Sequence, residues 1–296
     1  MISVLIPVYN ARVGDLVSAL HRQLSAQKIS FEIRCTDDAS DADFQKLNAK
    51  ALAALPHVFY EELPRNIGRA RIRHYMAARA NYERLLLLDC DVEIVRSNFI
   101  ECYLGHNKSD VVIGGLLYGK KPKDAKFRLR WCYGTKREQL NVEQRSLRRS
   151  FLASNLFIKK EIFVANNLKM LPLGYGHEDT LMGLQLRQSG IFVHHIDNPV
   201  LHRGLDANSV FLEKSENAIA NLAQLWRDHY VGIEDVRLIA VFERLTRLQI
   251  WAMLKWLRLP IESICKKILL SNHSSLLAFD VWRLMRFAHY MSDKRA

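Results

Sequence analysis

The sequence predicts an α/β fold: a mostly parallel sheet with helices on both faces, followed by a C-terminal helical region. Three observations predict it. Apolar segments of strand length alternate with segments of helical spacing from Ile2 to Asp91. One of them, the leucine run Leu85–Leu88, has no polar alternation and reads as a strand buried on both faces. From about Val210 onward the chain reads as helix, with breaks near Gly232, Pro260 and Asn272.

The elements follow in order. "ISVLIPVY" is a strand, and "ARVGDLVSALHRQLSAQ" sets Val13, Leu16, Val17, Leu20 and Leu24 at helical spacing. "FEIRCTDDAS" is a second strand closed by Asp37, Asp38 and a turn. "DADFQKLNAKALAAL" is a helix, "HVFYEEL" a strand, "NIGRARIRHYMAARAN" a helix and "LLLLDCD" the fourth strand. Ligands bind such sheets at the carboxyl ends of the strands. Three of those ends are polar: "PVYN", "DDAS" and "DCDV". Further on, "DVVIGGLLY" reads as one strand and "SFLASNLFIKKEIF" as a strand leading into a short helix. "LPLGYGHEDTLMGLQLRQSG" is a Gly-rich loop and an amphipathic helix capped by Gly190. "IFVHHIDNPVLHRG" gives a strand, a turn at Asn198 and Pro199, and an extension ending in His202.

Composition narrows the function. With 296 residues, 49% of them hydrophobic, the chain can bury a substantial core. Its five cysteines are scattered without a C-x-x-C pair, so neither a disulfide frame nor a zinc site is expected and a reducing cytoplasm fits. "MISVLIPVYN" lacks the basic n-region and cleavage site of a signal peptide, and no long uncharged apolar stretch predicts a transmembrane helix. The net charge of +12 points to anionic partners. There is no G-x-G-x-x-G after the first strand, which disfavours the dinucleotide-binding version of this architecture, and the absence of its motif excludes a P-loop.

Asp89 and Asp91 raise the sharpest chemical question. Along an extended chain a spacing of two points both carboxylates to one side, where they repel unless a positive group lies between them. A divalent cation with hard oxygen ligands, Mg²⁺ or Mn²⁺, answers that need. A solvated turn after a strand is the alternative reading of a lone D-x-D.

Seven segments, "SVLIPVYN", "DDAS", "NIGRARIR", "LLLLDCD", "SNLFIKK", "GYGHED" and "VLHRG", stand in the order found in the family 2 glycosyltransferases, and the chain resembles that family over roughly residues 1 to 205. The resemblance implies a GT-A fold, an inverting single displacement and a nucleotide-sugar donor, with a UDP-sugar favoured. It divides the chain into a GT-A domain, 1–209, and a basic helical region, 210–296. Within the domain, 1–110 would bind the donor and 111–209 the acceptor.

The resemblance also implies roles for single residues. Pro7 and Tyr9 would wall the base, and Asp38 would accept from its imide N–H. Asn66 and Gly68 would form a tight approach before a helix, with Arg71 facing the nucleotide and Arg69 and Arg73 solvated. Asp91 would bind Mn²⁺ or Mg²⁺, Asp89 would meet the ribose or reach the metal through water, and His202 would be a further metal ligand. Cys90 would point away into the core. Asp179 would be the catalytic base and Glu178 would orient acceptor or donor, on a loop freed by Gly174 and Gly176. For Glu178 and Asp179 simple helix capping is the alternative. The chain has no "Q-x-x-R-W" segment, which disfavours a processive synthase and favours single addition.

Two basic stretches remain. Lys120 to Lys160 is either an anionic-acceptor site or a solvated loop. In "RLQIWAMLKWLRLPIESICKKILL", Trp251, Leu254, Trp256, Leu257 and Ile261 alternate with Arg247, Lys255, Arg258, Lys266 and Lys267. That composition fits a helix lying on an anionic membrane, or a packed helical subdomain. The expected enzyme therefore extends a surface polysaccharide or glycolipid from the cytoplasmic side, with peripheral binding to the inner face of the membrane as a further expectation, acting on a saccharide or lipid-linked acceptor. The alternatives are a sugar-phosphate nucleotidyltransferase, whose Gly-rich basic loop after the first strand is missing, and a non-catalytic basic binding protein. Nucleic acid is not expected, because no recognition signature accompanies the charge.

Overall fold

The computed structural model describes residues 1–165, 175–272 and 274–292. The side chains of 252–255, Leu254 and Lys255 among them, lie outside the described residues, as does Gly174. The chain forms two compact units with interleaved boundaries: described residues 1–119, 138–165 and 185–204 form one, and 120–137, 175–184 and 205–292 the other.

The first unit begins with β1 (Ile2–Val8), α1 (Gly14–Ala26), β2 (Phe31–Asp37), α2 (Ala42–Leu52), β3 (Val58–Glu62), α3 (Arg69–Arg79) and β4 (Arg84–Leu88). β5 (Val92–Ile94), α4 (Phe99–Leu104), β6 (Val111–Ile113) and β7 (Leu116–Tyr118) follow. The helical face of α1 is the one its spacing predicts, with Leu16, Val17, Leu20 and Leu24 buried. Leu85 to Leu88 are fully buried because β4 lies inside the sheet, parallel to β1 on one side. Each such leucine contributes roughly 2 kcal/mol on burial, which anchors the carboxylates that follow.

The 120–137 segment contains α5 (Arg128–Tyr133), ending in a wide π turn at Gly134–Glu138; α6 (Val142–Leu147), β8 (Asn155–Lys159) and α7 (Lys160–Ala165) come next. α8 (Glu178–Gln188) is closed by Gly190 at φ 70°, as predicted, and leads to β9 (Val193–His195) and β10 (Val200–His202). The large sheet has the order β3-β2-β1-β4-β8-β6-β9 and the small one β5-β10-β7. The large sheet is mostly parallel, but β8 runs antiparallel to both β4 and β6.

The expected single strand "DVVIGGLLY" is two strands in different sheets. Gly114 and Gly115 make the switch: Gly115 has φ 93°, and a Cβ on Gly114 would lie 2.3 Å from the Asn198 carbonyl. Buried Asn155 fixes the crossing, donating to the carbonyls of Gly115 and Asn198 (2.9 Å each) and accepting from Tyr103 (2.6 Å).

The second unit is helical: α9 (Asn208–Arg227), α10 (Arg237–Arg247), α11 (Ile250–Leu270) and α12 (Leu276–Ser292) follow α5. The expected break at Pro260 is absent, since α11 runs through it. The start of the basic stretch is not a solvated loop. Asn208 accepts from the Leu129 N–H (3.0 Å) and donates to the Ala125 carbonyl (3.1 Å), and Arg137 pairs with Asp280 (2.6 Å). Arg286 on α12 joins three helices. It forks onto Glu216 of α9 and reaches Glu262 of α11 at 3.3 Å, while Tyr290 donates to Glu216 at 2.6 Å. Replacing Arg286 by Ala leaves two carboxylates without their shared cation, and urea denaturation is expected to show a loss of about 1–3 kcal/mol, as for a partly exposed charged network.

Candidate functional site

The ends of β1 and β2 are stapled to each other. Asn10 and Ala39 adopt left-handed φ values of 47° and 60°, Asn10 N–H donates to Ser40 (2.8 Å) and Asp41 N–H donates to Asn10 (2.8 Å). Tyr9 is exposed beside half-buried Pro7, so an open aromatic surface ends the first strand. Asp37, for which no role in the site was expected, is wholly buried and accepts from Ser40 N–H (2.7 Å) and the Tyr60 hydroxyl (2.9 Å).

Asp38 has a different first task from the one expected. Its two oxygens accept from the backbone N–H groups of Ile67 (2.7 Å) and Gly68 (3.0 Å), and Asn66 donates to its carbonyl (3.0 Å). It is buried and clamps the approach to α3. Gly68 stands there at φ 85°, a conformation that side chains resist.

The arginine assignment is reversed. Arg69 and Arg73, expected in solvent, are one turn apart on α3 and both bind Asp89: Arg73 at 2.6 Å, Arg69 through the other oxygen. Arg73 is buried. Arg71, two residues from each, falls on the opposite side of the helix and is exposed. The positive charge that Asp89 requires thus comes from guanidinium groups, one on each of its oxygens. Burial raises the Asp89 carboxyl, but Arg69 and Arg73 outweigh it and bring it down to about 2. A depressed carboxylate stabilises the fold above the ordinary pKa near 4 and loses that contribution as pH falls toward 2. Arg73→Met is expected to cost about 2–3 kcal/mol, less than a buried charge left wholly unpaired, because Arg69 remains. Acid unfolding followed by circular dichroism is expected to begin at higher pH in that variant.

Asp91 and His202 are brought together by the small sheet. β10 pairs antiparallel with β5, setting His202 opposite Val92, so Asp91 lies one step beyond the pair. The Arg203 N–H donates to the Asp91 carbonyl (2.8 Å), and His202 Nε2 lies 3.5 Å from Asp91 Oδ2. On the other side, β7 sets Tyr118 in register with His202, and the rings stack at 5.2 Å. His202 Nδ1 is buried without a hydrogen-bond partner among the described residues. Burial pushes the Asp91 carboxyl up and His202 opposes this. A half-buried carboxylate facing a nearly enclosed imidazole is a donor pair that a divalent cation fits. Among the described residues there is no cluster of three or more His, Cys, Asp or Glu that would hold an ion unaided, so the remaining ligands would come from elsewhere.

Gly204 completes this corner. A Cβ there would lie 2.2 Å from Asp91 Oδ2, closer than any side chain tolerates. Gly204→Ala is expected to displace the carboxylate and weaken metal-dependent nucleotide binding about tenfold or more, read by calorimetry. Cys90, between the two aspartates, is half-buried, and burial followed by the Asp91 charge pushes its thiol up to about 12.

In the helical unit, Glu178 and Asp179 open α8, both half-buried. Gly176 before them has φ 95°, and its Cβ would lie 2.5 Å from the Ala218 Cβ, so the turn packs tightly on α9. Glu178 accepts from the Gly176 N–H (3.1 Å), which gives it a capping contact, and Asn221 donates to the Gly176 carbonyl (2.5 Å). His177 is lowered to about 4 by burial and by Arg283, so it is neutral at pH 7.

The model of glycosyl transferase family 2 matches residues 3–164 of this sequence, more than half of the chain. The chain belongs to that family. The glycosyltransferase match contains Asp38, Asp89 and Asp91 but ends before Glu178, Asp179 and His202. Among solved structures, a mannosyltransferase from Pyrobaculum calidifontis in complex with GDP-Man and Mn²⁺ superposes with a TM-score of 0.58 at 14% identity, over 100% of this chain and 88% of that one. TarS residues 1–349 from S. aureus in complex with UDP-GlcNAc gives 0.52 at 14% identity, over 100% and 93%. Glucosyl-3-phosphoglycerate synthase from Mycobacterium tuberculosis, with Mn²⁺, UDP and glucosyl-3-phosphoglycerate, gives 0.52 at 16%, over 76% and 79%. At these identities the likeness establishes a shared GT-A fold. No curated protein matches the chain in sequence.

Proposed function

We propose that this family 2 glycosyltransferase moves a sugar from a nucleotide-sugar to a saccharide or lipid-linked acceptor, with inversion, in the making of a surface polysaccharide or glycolipid. The observation that carries the donor site is the Asp91 and His202 pair at 3.5 Å, set beyond β4 beside an Asp89 whose charge Arg69 and Arg73 already balance. Asp91 and His202 would hold Mn²⁺ or Mg²⁺, with the donor's diphosphate supplying further oxygen ligands. The ion would supply Lewis-acid stabilisation of the leaving diphosphate. The three neighbours in the fold carry nucleotide or nucleotide-sugar in their structures, two of them with Mn²⁺, which supports the same class of donor here.

Tyr9 and Pro7 would face the base, on the surface that ends β1. The loop Asn66 to Gly68, held by Asp38, would present a fixed edge beside it. Asp179 would take the proton from the acceptor hydroxyl as that oxygen attacks the anomeric carbon, and the exposed N–H groups at the start of α8 favour the anionic base. UDP is the nucleotide implied by the family resemblance, and Asp38, the residue expected to read the base, is held in place by the loop N–H groups. Calorimetric titration of UDP and GDP, with Mn²⁺ and with EDTA, tests the reading. Metal-dependent binding of UDP in preference to GDP is expected. Failure of both nucleotides to bind in Mn²⁺ would overturn the donor site.

A further inference from the structure

We propose that the outer face of α11 docks flat on an anionic lipid surface. Its inner side is settled by contacts within the helical unit: Cys265 and Leu269 are buried, and Glu262, the one carboxylate of α11, turns inward to Arg258 (3.0 Å) and Arg286 (3.3 Å). Arg258 is therefore a structural residue and not one of the surface cations that its sequence context suggested. The opposite arc carries Trp256, Leu257, Leu259, Ile264 and Leu270, with Trp256 80% and Leu259 66% exposed. Its charged members among the described side chains are Lys266 and Lys267, both exposed.

This pattern inverts what a solvated helix face shows. Such a face is charged with both signs, and contiguous exposed apolar surface marks an interaction site. Apolar side chains flanked only by cations match the boundary between lipid headgroups and acyl chains, where the former enter and the latter meet phosphate. Arg244, Arg247 and Leu248, the last 58% exposed, add further exposed cationic and apolar side chains at the end of α10. The whole chain carries +12, which adds long-range attraction to an anionic surface. No described helix is long and apolar enough to cross a membrane, so α11 would lie in the interface. A second copy fits this face less well, since a twofold contact needs carboxylates to meet Lys266 and Lys267 and this face has none. The inference is independent of the donor, the metal and the reaction.

The test uses the full chain and vesicles of phosphatidylcholine, with or without phosphatidylglycerol, at low and high salt. Sedimentation with the anionic vesicles that weakens with salt is expected. Lys266→Gln with Lys267→Gln is expected to lower partition roughly 30-fold, as two charges near an anionic leaflet would. Leu259→Ser with Ile264→Ser, both on the solvent side, is expected to reduce it at least as much while thermal melting and metal-dependent UDP binding stay at wild-type values. Quenching of tryptophan fluorescence by brominated lipid is expected to fall in Trp256→Phe. Wild-type protein that stays in the supernatant at low salt would overturn the proposal, as would a Leu259→Ser, Ile264→Ser variant that binds vesicles normally. So would a wild-type dimer, seen by light scattering, that the same double variant dissolves.

Discussion

Asp91→Asn is expected to abolish metal-dependent nucleotide binding while leaving the fold intact. The substitution keeps an oxygen near His202 but removes the charge that a divalent cation needs. Loss of even an outer-shell partner costs about 10–100-fold in metal affinity, so a direct ligand is expected to cost at least about 100-fold. The stability prediction runs the other way. Burial pushes the Asp91 carboxyl up, which means that the folded protein disfavours its ionised form. A neutral amide is then expected to leave the thermal midpoint of the metal-free protein unchanged or slightly higher. Mn²⁺ with UDP is expected to raise the midpoint of the wild type, since both bind the folded state, and to leave that of the variant where it was. An unaltered ligand-induced shift in Asp91→Asn would remove this residue from the metal site.

Asp179→Asn separates chemistry from binding. If Asp179 is the base, the variant retains nucleotide affinity and loses about 10²–10⁴-fold in kcat, the usual contribution of positioned proton transfer. KM for the donor is expected to move little. The residue opens α8, where an amide caps nearly as well as a carboxylate, so the thermal midpoint is expected to stay within a degree or two of wild type. A kcat within about threefold of wild type would assign Asp179 to capping alone and send the search for the base elsewhere. Measuring kcat requires an acceptor, whereas nucleotide binding and melting do not.

The two variants bracket what could be read from residues alone. "DCD" announced a charged site because a buried leucine run has no local reason to end in paired acids. "VLHRG" supplied His202, and the structure brings it to Asp91 because two three-residue strands pair in one register. The partner of Asp89 was less legible. Arg69, Arg71 and Arg73 are alike in sequence, and the choice among them depends on which side of α3 faces the end of β4. A clue was present in their spacing: Arg69 and Arg73 are four apart and can act together, while Arg71 cannot join them. The loop-clamping role of Asp38 was hidden for a related reason. A carboxylate after a strand has the same sequence whether it meets a ligand or two backbone N–H groups from a loop nearly thirty residues away.

Sheet membership was hidden as well. "DVVIGGLLY" has the composition of one strand, yet Gly114 and Gly115 divide it because backbone from Asn198 and side chains from Asn155 and Arg145 occupy the space their side chains would need. The basic stretch after Lys120 could be read as an anionic-acceptor site or as a solvated loop because its cations dominate the composition, and the folding of its start, 120–137, into the helical unit rests on Asn208 and Asp280, far along the chain. By itself the sequence determined the alternation of strands and helices, the family and the identity of most polar residues at the strand ends. Those follow from periodicity and local chemistry, which neighbouring residues encode. Only the tertiary structure decided which arginines neutralise Asp89, what Asp38 holds and which face of α11 meets solvent, because each depends on surfaces that distant segments bring together.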